Sequence, residues 1–319
     1  MKRMHCRCGR PVYFDNLDCT NCHRRLAFDI ETLDMRAEEA PGAGLPFCGN
    51  RDNAVRCNWL ARESRVGAYC LSCSMSKTIP TLSKPENFER WRKLEAAKRR
   101  LIYDLRSVGL PVDATRLRFE FKEDMRTNAD VNDLHVTTGH QDGIITVNAA
   151  EADEIFREEM RQAMNEPWRT LIGHLRHESG HYYFAEVVDA TNRDEARVLF
   201  GDETADYQSA LNTYYQRGPS AGWQQQYISA YASAHPAEDW AECWAHYLHI
   251  RAVLEVAIEA GLLGADGDGN WYEKFVKLVL SLNEIMRALG LPDAYPFVLT
   301  DPVVDKLEFI HRAVTRHKS

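Results

Sequence analysis

Residues 171–184 read LIGHLRHESGHYYF, and at their centre stand His177, Glu178 and, four positions after the first histidine, His181. On a helix, residues four apart share one face a turn apart, so both imidazoles reach one cation. The glutamate beside the first histidine points near the same ion without having to bind it. That position suits a carboxylate that takes a proton from the attacking water. Leu171, Ile172, Leu175 and Phe184 give the segment apolar faces, and Pro167 is placed to start it. Gly180 lets another backbone approach closely. His174, one turn before His177 on much the same face, is a candidate outer partner of the ligands, against the plainer reading of an ordinary hydrogen-bonded histidine. The bland reading of the whole stretch is a set of polar helix residues, so the assignment turns on what the rest of the chain supplies.

A third ligand selects the kind of site. In the spacing H-E-x-x-H-x-x-G-x-x-H a third histidine follows closely; here Phe184 and Val187 stand at its glycine and histidine positions, which excludes it. Acidic residues remain in two clusters: Asp202, Glu203 and Asp206, then Glu238, Asp239 and Glu242 just after His235 and Pro236. Glu238 and Glu242 are four apart and stack on one helix face. One can bind the ion while the other accepts the remaining N–H of a liganding histidine and fixes its tautomer. Asp206 lacks such a tandem partner, which favours Glu238. Both clusters also suit a helix start, where the dipole favours acids with or without a metal.

Eight of the nine cysteines precede residue 74, as Cys6-x-Cys8, Cys19-x-x-Cys22, Cys48, Cys57 and Cys70-x-x-Cys73. A tight pair turns two thiolates toward one cation and a second pair closes the tetrahedron. The spacing therefore points to structural zinc rather than to disulfides or an iron centre. Which four cysteines share an ion stays open, since pairs can interleave and His5 or His23 can substitute. The ninth, Cys243, has His246 nearby, as a thiol nucleophile would need. Set among Trp240, Trp244 and Tyr247, it reads instead as a buried structural thiol.

Hydrophobic residues make up 45% and charged residues 27% of the 319, a folded globular balance. The formal net charge of −8 argues against nucleic acid as a partner, since sequence-independent phosphate binding needs a basic excess. No apolar run is long enough to span a bilayer, and the opening MKRMHCRCGR lacks the apolar core of a secretory signal. The expected location is the cytoplasm, without a membrane partner.

Residues 1–40 are expected to form a first zinc ribbon and 41–82 a second module with four cysteines, divided at Pro41-Gly42-Ala43-Gly44. From 83 to 319 a larger domain should follow. Ser83-x-x-Glu86 spells a capping box, and Phe88, Trp91, Leu94, Leu101, Leu105 and Val108 keep helical spacing to Gly109 and Pro111. The run Lys98-Arg99-Arg100 reads as a solvated face. Leu117, Phe119 and Phe121 alternate as in a half-buried strand. Runs 134–138 and 144–147 read as two strands of a hairpin joined by Gly139-His140-Gln141-Asp142-Gly143. Helices are expected near 149–164, 168–187, 202–216, 222–233, 236–260, 271–289 and 302–316, the last started at Asp301-Pro302. The stretch Asp266-Gly267-Asp268-Gly269-Asn270 resembles the start of a calcium loop, but Trp271 and Lys277 replace its glycine and closing glutamate, leaving a solvated turn. A small sheet followed by many helices makes the class α+β.

Several segments together resemble a known family. The Cys-rich start, TGHQDGIITVN (138–148), EPWRTLIGHLRHESGHYYF (166–184) and AYASAHPAEDWAECWAHYLH (230–249) are similar to the bacterial zinc-binding metallopeptidases with an N-terminal zinc ribbon. The resemblance covers nearly the whole chain and implies a zincin-like domain and peptidase chemistry, without naming a substrate. The last segment also resembles the third-ligand helix of anthrax lethal factor and of the Mlc titration factor peptidase. Carried over, the zinc-binding glutamate falls on Glu238 and a substrate-facing tyrosine on Tyr231. A further glutamate of lethal factor falls on Glu242, a match that the titration factor pattern lacks.

The expected reaction is hydrolysis of a peptide or related amide bond, of the gluzincin type. His177, His181 and Glu238 would hold one catalytic zinc, Glu178 would act as base and then acid, and the cysteines would hold two structural zincs. Tyr231 would donate to the developing oxyanion, with His235 as substitute. By fold analogy, the strand at 144–148 is a sheet edge where an extended substrate adds. The partners are then a peptide or protein substrate and a protein bound through the ribbons. The rival class is a zinc-ribbon adaptor for protein or nucleic acid on a non-catalytic zincin scaffold.

Overall fold

A computed structural model of the chain describes all residues except 41–43, 64, 66, 127, 164, 165, 167, 168, 265–269, 318 and 319. The expected division at residues 41–43, the helix start at Pro167 and the turn at 266–269 lie outside the described residues. The chain forms two compact units, 1–175 and 176–319.

The first unit begins with two small hairpins, β1 (Met4–His5) with β2 (Pro11–Val12) and β3 (Leu26–Asp29) with β4 (Asp34–Ala37), both antiparallel. A single-turn helix α1 (Leu71–Ser74), strand β5 (Ser76–Thr78) and the long helix α2 (Pro85–Ser107) follow. The α2 start differs from the expected capping box. Its N-cap is Lys84, without a side-chain cap, and Pro85 opens the first turn, a place where its missing N–H costs nothing. Phe14, Phe28, Trp59 and Tyr103 form an aromatic cluster that joins the hairpins to α2.

The run Lys98-Arg99-Arg100 is not a solvated face. Lys98 and Arg99 are buried and only Arg100 is exposed. Lys98 Nζ lies 2.9 Å from the buried Glu95 carboxylate and over the rings of Phe119 and Phe121. Opposite charges one turn apart can leave water together because each satisfies the other; removing one alone costs about 3–5 kcal/mol. Three charges adjacent in sequence leave a helix in three directions, so they do not share one face.

Strands β6 (Arg118–Lys122), β7 (Gly139–Gln141) and β8 (Ile144–Asn148) complete a four-stranded sheet of order β5-β6-β8-β7. Strands β5, β6 and β8 run parallel, and β7 is antiparallel to β8. The expected hairpin exists but is shifted: its first strand is 139–141, not 134–138, and the turn is the dipeptide Asp142-Gly143. Both turn residues take positive φ, 50° and 78°, as a tight two-residue hairpin requires. Strand β8 is paired on both sides, so the expectation that 144–148 is a sheet edge is corrected: the edges are β5 and β7. A 3-10 turn (Ala149–Ala152) and helix α3 (Glu154–Ala163) follow.

Helix α4 (Leu171–Val187) carries the histidine motif and leads into the second unit. Helices α5 (Arg193–Phe200), α6 (Tyr207–Arg217), α7 (Pro236–Glu259), α8 (Trp271–Ala288) and α9 (Asp301–Arg316) complete it. Helix α5 lies outside the expected elements; it buries only Ala196 and Phe200, too few apolar positions to register as a pattern. Helix α6 starts later than expected, where the Asp206 side chain accepts the Ser209 N–H and caps it. The segment 222–233 holds two short 3-10 turns, Trp223–Gln225 and Tyr231–Ala234, instead of a helix. Gly222, left-handed at φ 72°, opens the first of them. The core of this unit is aromatic: Trp240, Trp244, Tyr247, Phe275 and Phe309 are each at most 1% exposed.

Candidate metal centres

Helices α4 and α7 meet at unusually close range because Gly180 has no side chain. A Cβ there would stand 3.0 Å from Ala241 Cα and 3.1 Å from Trp244 Cβ. Trp240 Nε1 donates to Gly180 O at 2.9 Å and Trp244 Nε1 to Ser179 Oγ at 3.0 Å, fixing the register between the helices. The buried pair Lys306–Asp239, 2.6 Å apart, anchors the start of α7 on α9. These contacts bring one turn of each helix face to face: His177 and His181 on one side, Glu238 and Glu242 on the other.

His177 Nε2 lies 3.3 Å from His181 Nε2 and 3.0 Å from Glu238 Oε2, and His181 Nε2 lies 3.6 Å from Glu238 Oε1. Tetrahedral zinc with bonds of roughly 2.0–2.1 Å sets its N and O donors about 3.3 Å apart. The His177–His181 and His177–Glu238 Oε2 separations, 3.3 and 3.0 Å, lie close to this.

The protons agree with this reading. Glu242 Oε1 sits 2.7 Å from His177 Nδ1. Burial alone would raise the Glu242 carboxyl, but His177 and the Ser229 hydroxyl hold it down to about 2. An ionised carboxylate only accepts, so Nδ1 carries a proton and Nε2 is the nitrogen turned toward Glu238. Glu238 is fully buried, and among the described residues its Oε2 meets no donor other than His177 Nε2. Nε2 and this buried carboxylate oxygen, 3.0 Å apart, need a proton or a metal ion between them. Burial would lower the His177 pKa, yet Glu238 and Glu242 drive it well above the usual histidine value. The pocket wants positive charge, and the donor set of two imidazoles and one carboxylate fits a divalent ion.

Glu178 is buried beside this set, 7% exposed. Burial first, and the nearby charges of Glu238 and Glu242, push its carboxyl up to about 7 against the pull of His177. A carboxyl poised there exchanges a proton readily at neutral pH. Tyr231, in the 3-10 turn before α7, has its ring centroid 6.0 Å from that of His177 and 5.8 Å from that of Tyr214.

Other candidates fall elsewhere. The expectation that His235 is a substitute oxyanion donor is corrected, because both of its ring nitrogens serve the backbone. Nδ1 accepts the Ala237 N–H at 3.0 Å, capping α7, and Nε2 donates to Ala205 O at 3.1 Å. It has no N–H left for a substrate. His174 faces an acid, with Nδ1 3.5 Å from Glu151 Oε2, while the outer partner of His177 is Glu242. Asp206, the rival third ligand, is the cap of α6. Cys243 is fully buried with its Sγ 3.6 Å from Asp239 Oδ1, and His246 Nδ1 pairs with Tyr295 Oη at 2.8 Å, so they form no nucleophile pair.

One site residue is invisible to sequence reading: Tyr207, whose hydroxyl donates to Glu238 Oε1 at 2.6 Å. It lies 31 residues before its partner. No periodicity or motif marks it, and only the fold brings the two together.

The cysteines form two sets, Cys6, Cys8, Cys19, Cys22 and Cys48, Cys57, Cys70, Cys73, resolving the open pairing without interleaving and without His5 or His23. The separations Cys6–Cys22, 3.6 Å, Cys8–Cys19, 3.7 Å, and Cys57–Cys70, 3.6 Å, exclude disulfides. They match the edges of a tetrahedron with Zn–S bonds of roughly 2.3 Å, about 3.8 Å long. Arg99, buried beside the second set, adds positive charge where four thiolates would gather negative charge.

Among the described residues, no helix is long and apolar enough to cross a membrane. Residues 87–313 match the family described as "Putative zinc-binding metallo-peptidase", and residues 3–84 match a zinc-ribbon domain. An uncharacterized protein of Mycobacterium tuberculosis (strain H37Rv) is 38% identical over 98% of this chain and 95% of its own length. An uncharacterized protein of Mycobacterium bovis matches to the same extent. No solved structure matches the chain. The two histidines and the buried glutamate fall within residues 87–313 and the eight clustered cysteines within residues 3–84, and the chain belongs to this zinc-binding metallo-peptidase family, with a zinc-ribbon domain at its start.

Proposed function

We propose that the protein is a zinc-dependent hydrolase of peptide or related amide bonds, of the gluzincin type, with His177, His181 and Glu238 as ligands. The observation that carries this reading is the convergence of those three donors, within 4.8 Å of one another, beside the buried Glu178 carboxyl. When bound, zinc supplies Lewis acidity to the substrate carbonyl and lowers the pKa of water. Glu178 takes the proton of the attacking water and delivers it to the leaving amine. Glu242 keeps the His177 proton on Nδ1, so that Nε2 stays a ligand. Tyr231 donates to the oxyanion. Two further zincs, one in each cysteine set, brace the first unit. Eight thiolates kept for metal suit a reducing cytoplasm. A peptide or protein is the substrate, and the ribbons offer a face for a protein partner.

Glu178→Gln tests the reading, because it removes the base and keeps the shape. Hydrolysis of a diverse peptide mixture should fall at least about a hundredfold with zinc content unchanged. No hydrolysis by either form, with a protein captured equally by both, would favour the adaptor instead.

A further inference from the structure

Glu238 has two oxygens in different surroundings. Oε2 faces His177 Nε2 at 3.0 Å and has no other donor among the described residues, while Oε1, 3.6 Å from His181 Nε2, accepts the Tyr207 hydroxyl at 2.6 Å. The carboxylate is fully buried, so bulk water does not replace either partner. Tyr207 is the first residue of α6, and its ring packs edge-on against His235 with centroids 5.1 Å apart. His235 is itself fixed on both sides, by Ala237 N–H at the start of α7 and by Ala205 O just before α6. One histidine ring thus ties together the starts of the helices that carry Tyr207 and Glu238, and holds the phenol where it meets Oε1.

We infer that Tyr207 is a positioning residue for the metal ligand Glu238, an inference that rests on the metal site proposed above. By occupying Oε1 it makes Glu238 bind through Oε2 alone, leaving a coordination position that a two-oxygen ligand would fill. A bare glutamate could rotate and chelate with both oxygens; a donor fixed on one of them prevents this. The role is separate from that of Glu242, which acts on a histidine. It also gives His235 a purpose as the brace behind the phenol.

The test uses the full chain and its metal. Tyr207 is solvent-exposed, so Tyr207→Phe deletes one hydroxyl without opening a core. The labile zinc is removed with a chelator while the cysteine sites stay filled, and the site is titrated with Zn²⁺ against a chromophoric competitor and separately with Co²⁺. The expected result is affinity weakened about 10–100-fold, with a Co²⁺ visible spectrum shifted toward higher coordination number. Two equivalents of tightly held zinc should remain in the variant, showing that it folds. Unchanged affinity together with an unchanged Co²⁺ spectrum would overturn the role of Tyr207 and leave the metal site standing. Failure of the wild-type chain to take up metal beyond the cysteine sites would overturn both.

Discussion

His177 Nδ1 stands 2.7 Å from Glu242 Oε1, one helical turn beyond Glu238, which faces the other nitrogen of the same ring at 3.0 Å. A single imidazole is thus held between two carboxylates on one face of α7, one fixing its proton and one sharing its prospective ion. Glu242→Ala removes the first of these. Zinc affinity at the histidine site should fall about 10–100-fold, as measured by competition with a chelator, because the ring loses both its tautomer and its orientation. Glu242→Gln should lose less, since its amide oxygen still accepts the N–H.

Tyr231 lies beside the His177 ring but is not one of the three converging donors. Tyr231→Phe should therefore leave zinc content unchanged and lower kcat on a cleaved peptide about 10²–10³-fold with little change in KM, as loss of one oxyanion donor does. A change in KM alone would assign it to substrate binding.

Gly180 lets α4 and α7 approach. Gly180→Val puts a branched side chain against Ala241 Cα and Trp244, and overpacking of this kind costs about 1–3 kcal/mol. Thermal melting should show the loss. Zinc at the histidine site should weaken with it, since the two ligand-bearing helices must move apart, while the cysteine sites keep theirs.

Asp124 accepts from Val136 N at 3.0 Å and from Asn148 Nδ2 at 2.8 Å, and pairs with Arg126. Burial alone would raise its carboxyl; these partners, Arg126 foremost, hold it down to about 2. A depressed carboxyl stabilises the fold above its unfolded pKa, near 3.9, and loses that contribution as pH falls through about 2. Asp124→Asn should cost about 1–3 kcal/mol at neutral pH. In paired denaturation series, the gap between wild type and variant should close as pH drops from about 4 to about 2. A gap that stays constant would contradict the assignment.

The elements that position the site are legible in the sequence wherever spacing encodes geometry. His177, His181, Glu238 and Glu242 each sit four residues from a partner on a helix, and Cys6-x-Cys8, Cys19-x-x-Cys22 and Cys70-x-x-Cys73 are close pairs, so local sequence carries much of the arrangement. Gly180 marks in the sequence where another segment approaches closely, but that the segment is Ala241 and Trp244 is given by the fold. What is not legible depends on chain reversals between distant segments. Tyr207 reaches Glu238 only because α6 folds back, and His235 is used up by Ala205, which precedes it by 30 residues. Lys98 and Arg99 look solvated because charge is read residue by residue, while their burial comes from Glu95 and from the cysteine set. The hairpin is displaced because the Asp142-Gly143 turn, not the apolar run at 134–138, sets its register.

Metal analysis of purified protein tests most directly whether the α4–α7 contact holds a metal ion of its own. Three donor sets predict three zinc equivalents in the wild-type chain and two in His177→Ala and Glu238→Ala, with both variants folded. Two equivalents in all three proteins would contradict it.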